Sequence, residues 1–234
     1  MTPQTRLVAV SWVQFLSGFR ADLQALGALS KAKGVLLSVD AIQGIGALQL
    51  DVEGLGLDFL ACGGHKWMMA AQGIGLMYVE PALREQLTQY AGWLHGPIDW
   101  ERLTDYKLIF HPDARRYRLG TINSMGIAAM HASLGLYLEQ GLEWCETRVL
   151  KLAGSLVEGF EERGIRRYGS ANPTDASGIV TIHDANPHKT FAAFKENGIH
   201  IATRNGLLRF SPTYYNSEAE IEKVLTVMGE LQQV

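Results

Sequence analysis

Short, unbroken apolar runs that alternate with a helical segment constrain this chain more than any other feature. Leu7 to Val10, Val35 to Val39 and Leu57 to Ala61, the last with Asp58 at its edge, read as buried strands. Between the first two, Leu23, Leu26 and Leu29 follow Asp22 at helical spacing, and Lys31, Lys33 and Gly34 supply a cationic last turn and a glycine stop. Gly75 to Val79 reads as a further strand. Strand, helix and strand at this spacing predict right-handed crossovers and an α/β fold with a mostly parallel sheet and flanking helices.

The pattern weakens between Pro81 and Pro112, where Trp93, His95, Gly96, Pro97 and Trp100 are scattered through a long, partly irregular excursion. Helical periodicity returns from Ile127 to Tyr137 and from Glu143 to Phe160, split by Gly141. Strands follow at Gly178 to Ile182 and Leu207 to Ser211, with helices at Pro187 to Asn197 and, opened by an N-cap serine, at Ser217 to Leu231. This end predicts a smaller α+β domain, so the division is expected between residues 1–135 and 136–234.

With 21 Lys and Arg against 24 Asp and Glu, the formal charge is −3, and 47% of the residues are apolar. Such a composition excludes dominant disorder and offers phosphate backbones or anionic lipid no global attraction, so neither nucleic acid nor membrane is an expected partner. No stretch reaches the about 18 apolar residues of a membrane span. Cys62 and Cys145 alone exclude a disulfide framework, and with no leader-like start they predict a reducing, cytoplasmic home. His183 and His188 have no third ligand nearby, so no metal site is expected. Neither Gly44-Ile45-Gly46 nor Gly73-Ile74-Gly75 carries the remaining dinucleotide fingerprint.

Chemistry concentrates in Ala61 to Tyr78, ACGGHKWMMAAQGIGLMY, where Lys66 directly follows a strand among small residues and an aromatic. Burial disfavours the ammonium form and makes a nucleophilic amine available near neutral pH, which a Schiff-base lysine requires. The alternative is a bland turn with an exposed lysine. In VLLSVDAIQ, Asp40 ends a strand of apolar neighbours and, if buried, should face a cation. Open α/β sheets bind ligands at the carboxyl ends of their strands, so Asp40 and Lys66 are expected in one crevice.

Together with SWVQFLSG, RRYRLGTIN and LLRFSPTYYNSEAEIE, these stretches resemble the class V aminotransferase family, whose members use pyridoxal phosphate on the type I transferase fold. The family includes cysteine desulfurases, kynureninase and isopenicillin N epimerase. The resemblance implies that Lys66 forms the internal aldimine and shuttles the α-proton, while Asp40 pairs with the pyridinium nitrogen and Gln43 bonds the ring's phenolic oxygen. It further implies that His65 contacts the cofactor phosphate and that Gly120 and Thr121 reach it from the neighbouring subunit of a dimer. Arg209 matches the arginine that grips the substrate's α-carboxylate, with Arg204 assisting.

Departures from the family pattern are Gly63 in place of a hydroxyl residue, Ala70-Ala71 in place of glycine-proline, and Phe15 where a polar residue is common, with Gln14 a possible stand-in. The usual N-terminal portion, with its phosphate-cradling helix terminus and ring-stacking residue, is not in this sequence, so weaker cofactor affinity is expected. Asp40 could instead be a capping or ion-paired residue, His65 a core or turn histidine, and Gln43 and Thr121 plain loop-end polar groups. Neither cysteine sits where the family's desulfurases place their thiol, which leaves transamination, epimerisation or β-elimination of an α-amino acid. Two readings stand: a pyridoxal-phosphate enzyme, or a truncated, non-catalytic member acting as a dimerising or interaction module. A separate chain supplying the missing part is a third possibility. A homodimer or larger homo-oligomer is expected, because a shortened sheet exposes apolar faces.

Overall fold

The computed structural model describes residues 1–87, 90–105 and 107–233. Strands β1 (Leu7–Ser11), β2 (Leu36–Asp40), β3 (Phe59–Gly63) and β4 (Gly75–Val79) form one sheet in that order. The first three are parallel, and β4 runs antiparallel to β3. The connection between β3 and β4 contains no helix, so the chain reverses instead of crossing over. Helix α1 (Leu23–Lys33) makes the crossover from β1 to β2. Asp22 caps its start by accepting from the Ala25 N–H at 2.9 Å, and Gly34 ends it in the left-handed region.

After the excursion come α2 (Ser124–Gln140) and α3 (Leu142–Glu162), then β5 (Val180–His183), α4 (Pro187–Glu196), β6 (Ala202–Arg204), β7 (Leu207–Phe210) and α5 (Glu218–Gln232). The last three strands form an antiparallel sheet in the order β5-β7-β6. Helix α2 begins three residues before the periodic stretch, because Asn123 accepts from the Gly126 N–H and secures an extra turn. Strand β6 escapes an apolar-run reading, being three residues long and ending in arginine. Its signal is the Asn205-Gly206 pair, both at positive φ, which folds β6 back onto β7.

Two apolar cores result. The first holds Leu37, Val39 and Leu60 under the parallel sheet together with Tyr137, Cys145, Val149, Ile179 and Tyr214. The second gathers Leu152, Leu156 and Phe160 of α3 with Phe194, Phe210 and α5 residues such as Val224. Helix α3 is therefore shared, its early turns in one core and its later turns in the other. Residues 14–20 also bond the far end of the chain. Ser177 Oγ donates to the Gly18 carbonyl at 2.7 Å, Thr181 Oγ1 to that of Leu16 at 2.5 Å, and the Arg20 N–H to that of Asp175 at 2.9 Å.

Leu37 is fully buried at the centre of the first core. Leu37→Ala is expected to lower unfolding free energy by about 2–5 kcal/mol, read from the shift of a urea denaturation midpoint.

Candidate active site

Lys66 follows β3 in a loop held from two directions. Within it, the Gly64 N–H donates to the Ile74 carbonyl at 2.8 Å and the Met69 N–H to Lys66's own carbonyl at 2.8 Å. From α2, Ser133 Oγ donates to the Met68 carbonyl at 2.6 Å, and the Tyr137 hydroxyl donates to that of Trp67. Ser133 and Tyr137 lie one helical turn apart, so a single face of α2 fixes both residues after the lysine. Neither was singled out in the sequence; their i,i+4 spacing on an otherwise apolar helix face is the signal. Gly46, at φ +98, packs against the same loop, where a Cβ would stand 2.6 Å from the Met68 nitrogen. That close approach carries the segment after Gln43 over the loop.

Lys66 lines a cavity of about 240 Å³. Its polar lining is Gln43, Lys66, Arg209, Ser211 and Thr213, and its apolar lining Trp67, Met69, Ile179 and Tyr215. The second sheet thus brings Arg209 to the lysine that ends the first. In register, Thr181 of β5 stands beside Arg209 of β7. Arg209 Nη1 donates to the Phe15 carbonyl at 2.7 Å, next to the Leu16 carbonyl taken by Thr181. Its Nε is buried without a hydrogen-bond partner, and among the described residues no carboxylate pairs with it. Burial lowers its pKa, and the charge of Arg204 lowers it further. Lys66 itself is exposed in its turn, so the burial expected of it is only partial; that partial desolvation lowers its pKa, reinforced by Arg209 and opposed by Asp40 and Cys62.

The other sequence candidates are distributed around this centre. Gln43 is buried, 7% exposed, in the lining itself. Asp40 ends β2 and its Oδ1 accepts from the Ile42 N–H at 3.0 Å. The cation contact expected of a buried Asp40 is not formed, because its carboxylate is exposed and water can hold it; its charge still acts on Lys66. His65 is exposed and packs over Gly63, where a Cβ would stand 3.1 Å from its Cε1. Arg204 is exposed on β6, with Nη1 donating to the Thr203 carbonyl at 2.7 Å. Thr121, exposed beside the Trp93-packed Gly120, does not line the cavity. Gln14, the polar residue beside Phe15, has its Oε1 accepting from the Leu16 and Ser17 N–H groups at 2.7 and 2.6 Å. No group of three His, Cys, Asp or Glu that could hold a metal is found among the described residues, and no described helix is long and apolar enough to cross a membrane.

Compared with known proteins, residues 1–224 match the sequence model of aminotransferase class-V. The chain belongs to that family. It is 31% identical to a probable cysteine desulfurase of Pyrococcus abyssi, covering 97% of this chain and 59% of that protein. It is 27% identical to an uncharacterized aminotransferase of Bacillus subtilis, covering 96% and 59%. Among solved structures, the apo cysteine desulfurase of Thermococcus onnurineus superposes with a TM-score of 0.86 at 29% identity, over 97% of this chain and 60% of that one. A variant of the lyase C-DES with glycine covalently linked to its PLP cofactor shares the fold, with a TM-score of 0.86 at 22% identity. This chain spans about 60% of the length of these relatives.

Both thiols of this family member are buried. Burial and the Asp40 charge push the Cys62 thiol up to about 11 against the pull of Lys66, and burial raises Cys145. At pH 8 only about one Cys62 in a thousand is thiolate, so neither cysteine is expected to react with a disulfide reagent in the folded protein. Counting reactive thiols before and after denaturation checks this: none folded, both unfolded.

Proposed function

We propose that this chain is the lysine-bearing and carboxylate-binding portion of a pyridoxal-phosphate-dependent, aminotransferase-like enzyme acting on an α-amino acid. The observation that carries the reading is the pairing of Lys66 and Arg209 in one cavity, the lysine biased toward its neutral form and the arginine with a buried Nε still without an acceptor. Family membership supports the cofactor class. The residues present fit the cofactor, offering an amine, a carboxylate for a protonated ring nitrogen, a buried amide and cationic donors for acid groups.

When bound, pyridoxal phosphate supplies a carbonyl carbon that captures amines and a ring that draws electrons from the amino acid's Cα. On this reading Lys66 would be the residue that holds the cofactor through that carbon, and its Nζ would take and return the proton at Cα. Asp40 would hold the ring nitrogen and favour its protonated form, and Gln43 would hold the ring's oxygen. His65 serves the phosphate, as does Thr121 from a second subunit. Arg209 orients the substrate through its carboxylate, with Arg204 adding charge at the entrance. Residues 1–135 supply the cofactor-holding residues and 136–234 the arginines for the substrate carboxylate, although α2 and the first core run across that division. Exposed Trp93, Trp100, Leu108 and Met125, 56–81% open, supply apolar surface for a homodimer. A reducing, cytoplasmic setting suits its two free thiols. A non-catalytic, dimerising member is the competing reading, supported by the solvent-open Asp40.

Borohydride reduction after incubation with pyridoxal phosphate, followed by peptide mapping, separates the two. The enzyme reading expects one dominant adduct at Lys66, absent in Lys66→Ala, with capture half-maximal at a pH below the ordinary lysine value of 10.5 because the folded amine deprotonates earlier. Adducts spread evenly over surface lysines would sink it.

A further inference from the structure

The geometry points to Thr213 as a specificity-determining residue that selects an α-amino acid whose side chain ends in a hydrogen-bonding group; this rests on the substrate reading above. From the end of β7 onward, alternate residues Arg209, Ser211 and Thr213 line the Lys66 cavity, while Phe210 packs in the second core and Pro212 is buried outside that lining. The wall therefore presents a guanidinium and two hydroxyls. Ser211 is exposed, whereas Thr213 is 8% exposed and its Oγ1 is buried without any hydrogen-bond partner.

A buried hydroxyl without a partner is unfavourable, and the local structure does not leave it so through slack. The Thr213 N–H donates to Asn216 Oδ1 at 2.9 Å, and the Asn216 N–H donates back to the Thr213 carbonyl at 3.0 Å. Arg148 Nη2, whose guanidinium also pairs with Glu218, donates to the Asn216 carbonyl at 2.8 Å. The hydroxyl is therefore held in place with its bonding capacity free. Trp67, Met69 and Ile179 complete the cavity with apolar surface. A ligand that satisfies all three features carries a carboxylate for Arg209, an apolar stem, and a donor or acceptor tip for Thr213.

The test compares near-isosteric pairs, L-homoserine with L-norvaline and L-asparagine with L-leucine, by calorimetric titration of the protein with pyridoxal phosphate and of the cofactor-free protein. The polar member of each pair is expected to bind about tenfold more tightly. Thr213→Val should abolish that preference with no fall in melting temperature, since Oγ1 has no internal partner to lose, and Thr213→Ser should restore it. Equal binding within each pair, a preference that survives Thr213→Val, or a lower melting temperature in that variant alone overturns the proposal. If the cofactor is not taken up but the cofactor-free protein shows a Thr213-dependent preference, the enzyme reading fails and the assignment of Thr213 stands.

Discussion

The candidate site depends on a few side chains that donate to backbone carbonyls across long stretches of sequence. Arg209 and Thr181 bond the adjacent carbonyls of Phe15 and Leu16, and Ser177 bonds that of Gly18. These bonds draw the antiparallel sheet onto the segment leaving β1. On the other side, Ser133 and Tyr137 hold the Lys66 loop at the end of β3. Without the first set Arg209 has no fixed relation to the lysine, and without the second the lysine has none to the sheet. A buried carbonyl left without a donor is costly, so the buried fastenings, those of Thr181, Ser177, Ser133 and Tyr137, also settle backbone groups that the loops would otherwise leave unsatisfied.

Charge in the cavity is balanced by distance and not by contact. The exposed Lys66 is pushed toward its neutral form by partial desolvation and by Arg209, and held toward its charged form by Asp40 and Cys62. An ion pair with Asp40 would have reversed that outcome, because a close carboxylate stabilises an ammonium. Leaving Asp40 in water, out of contact with the lysine, avoids that reversal. The same field makes Cys62 a poor nucleophile, since burial and Asp40 both resist its ionisation. One arrangement of groups therefore favours amine chemistry and suppresses thiol chemistry a few residues away.

The elements nearest the site were legible in the sequence because their signals are local. Leu7 to Val10 and Val35 to Val39 announce buried strands by continuous apolar character, and Asp22 and Gly34 bracket α1 by capping chemistry that needs no distant partner. The fold class and the family followed from the order of such segments and of the motifs around Asp40, Lys66 and Arg209. The direction of β4 was not legible, because an apolar run carries no information on which way its neighbour points. Strand β6 was missed because three residues make no pattern, although the Asn205-Gly206 turn beside it was visible.

By itself, then, the sequence determined the α/β class, the family and the residue types that bring chemistry, since periodicity, capping and motif order are properties of neighbouring residues. Tertiary structure alone decided which of them meet. Asp40 and Lys66 follow neighbouring parallel strands, but Arg209 and Thr213 reach the lysine through a second sheet whose attachment runs through single hydroxyl and guanidinium bonds to carbonyls far along the chain. Such bonds form between side chains of ordinary types and backbone groups that every residue possesses, so no local pattern marks them. Burial, which raises the Cys62 pKa and leaves the Thr213 hydroxyl without a partner, likewise exists only once the two cores have closed around the cavity.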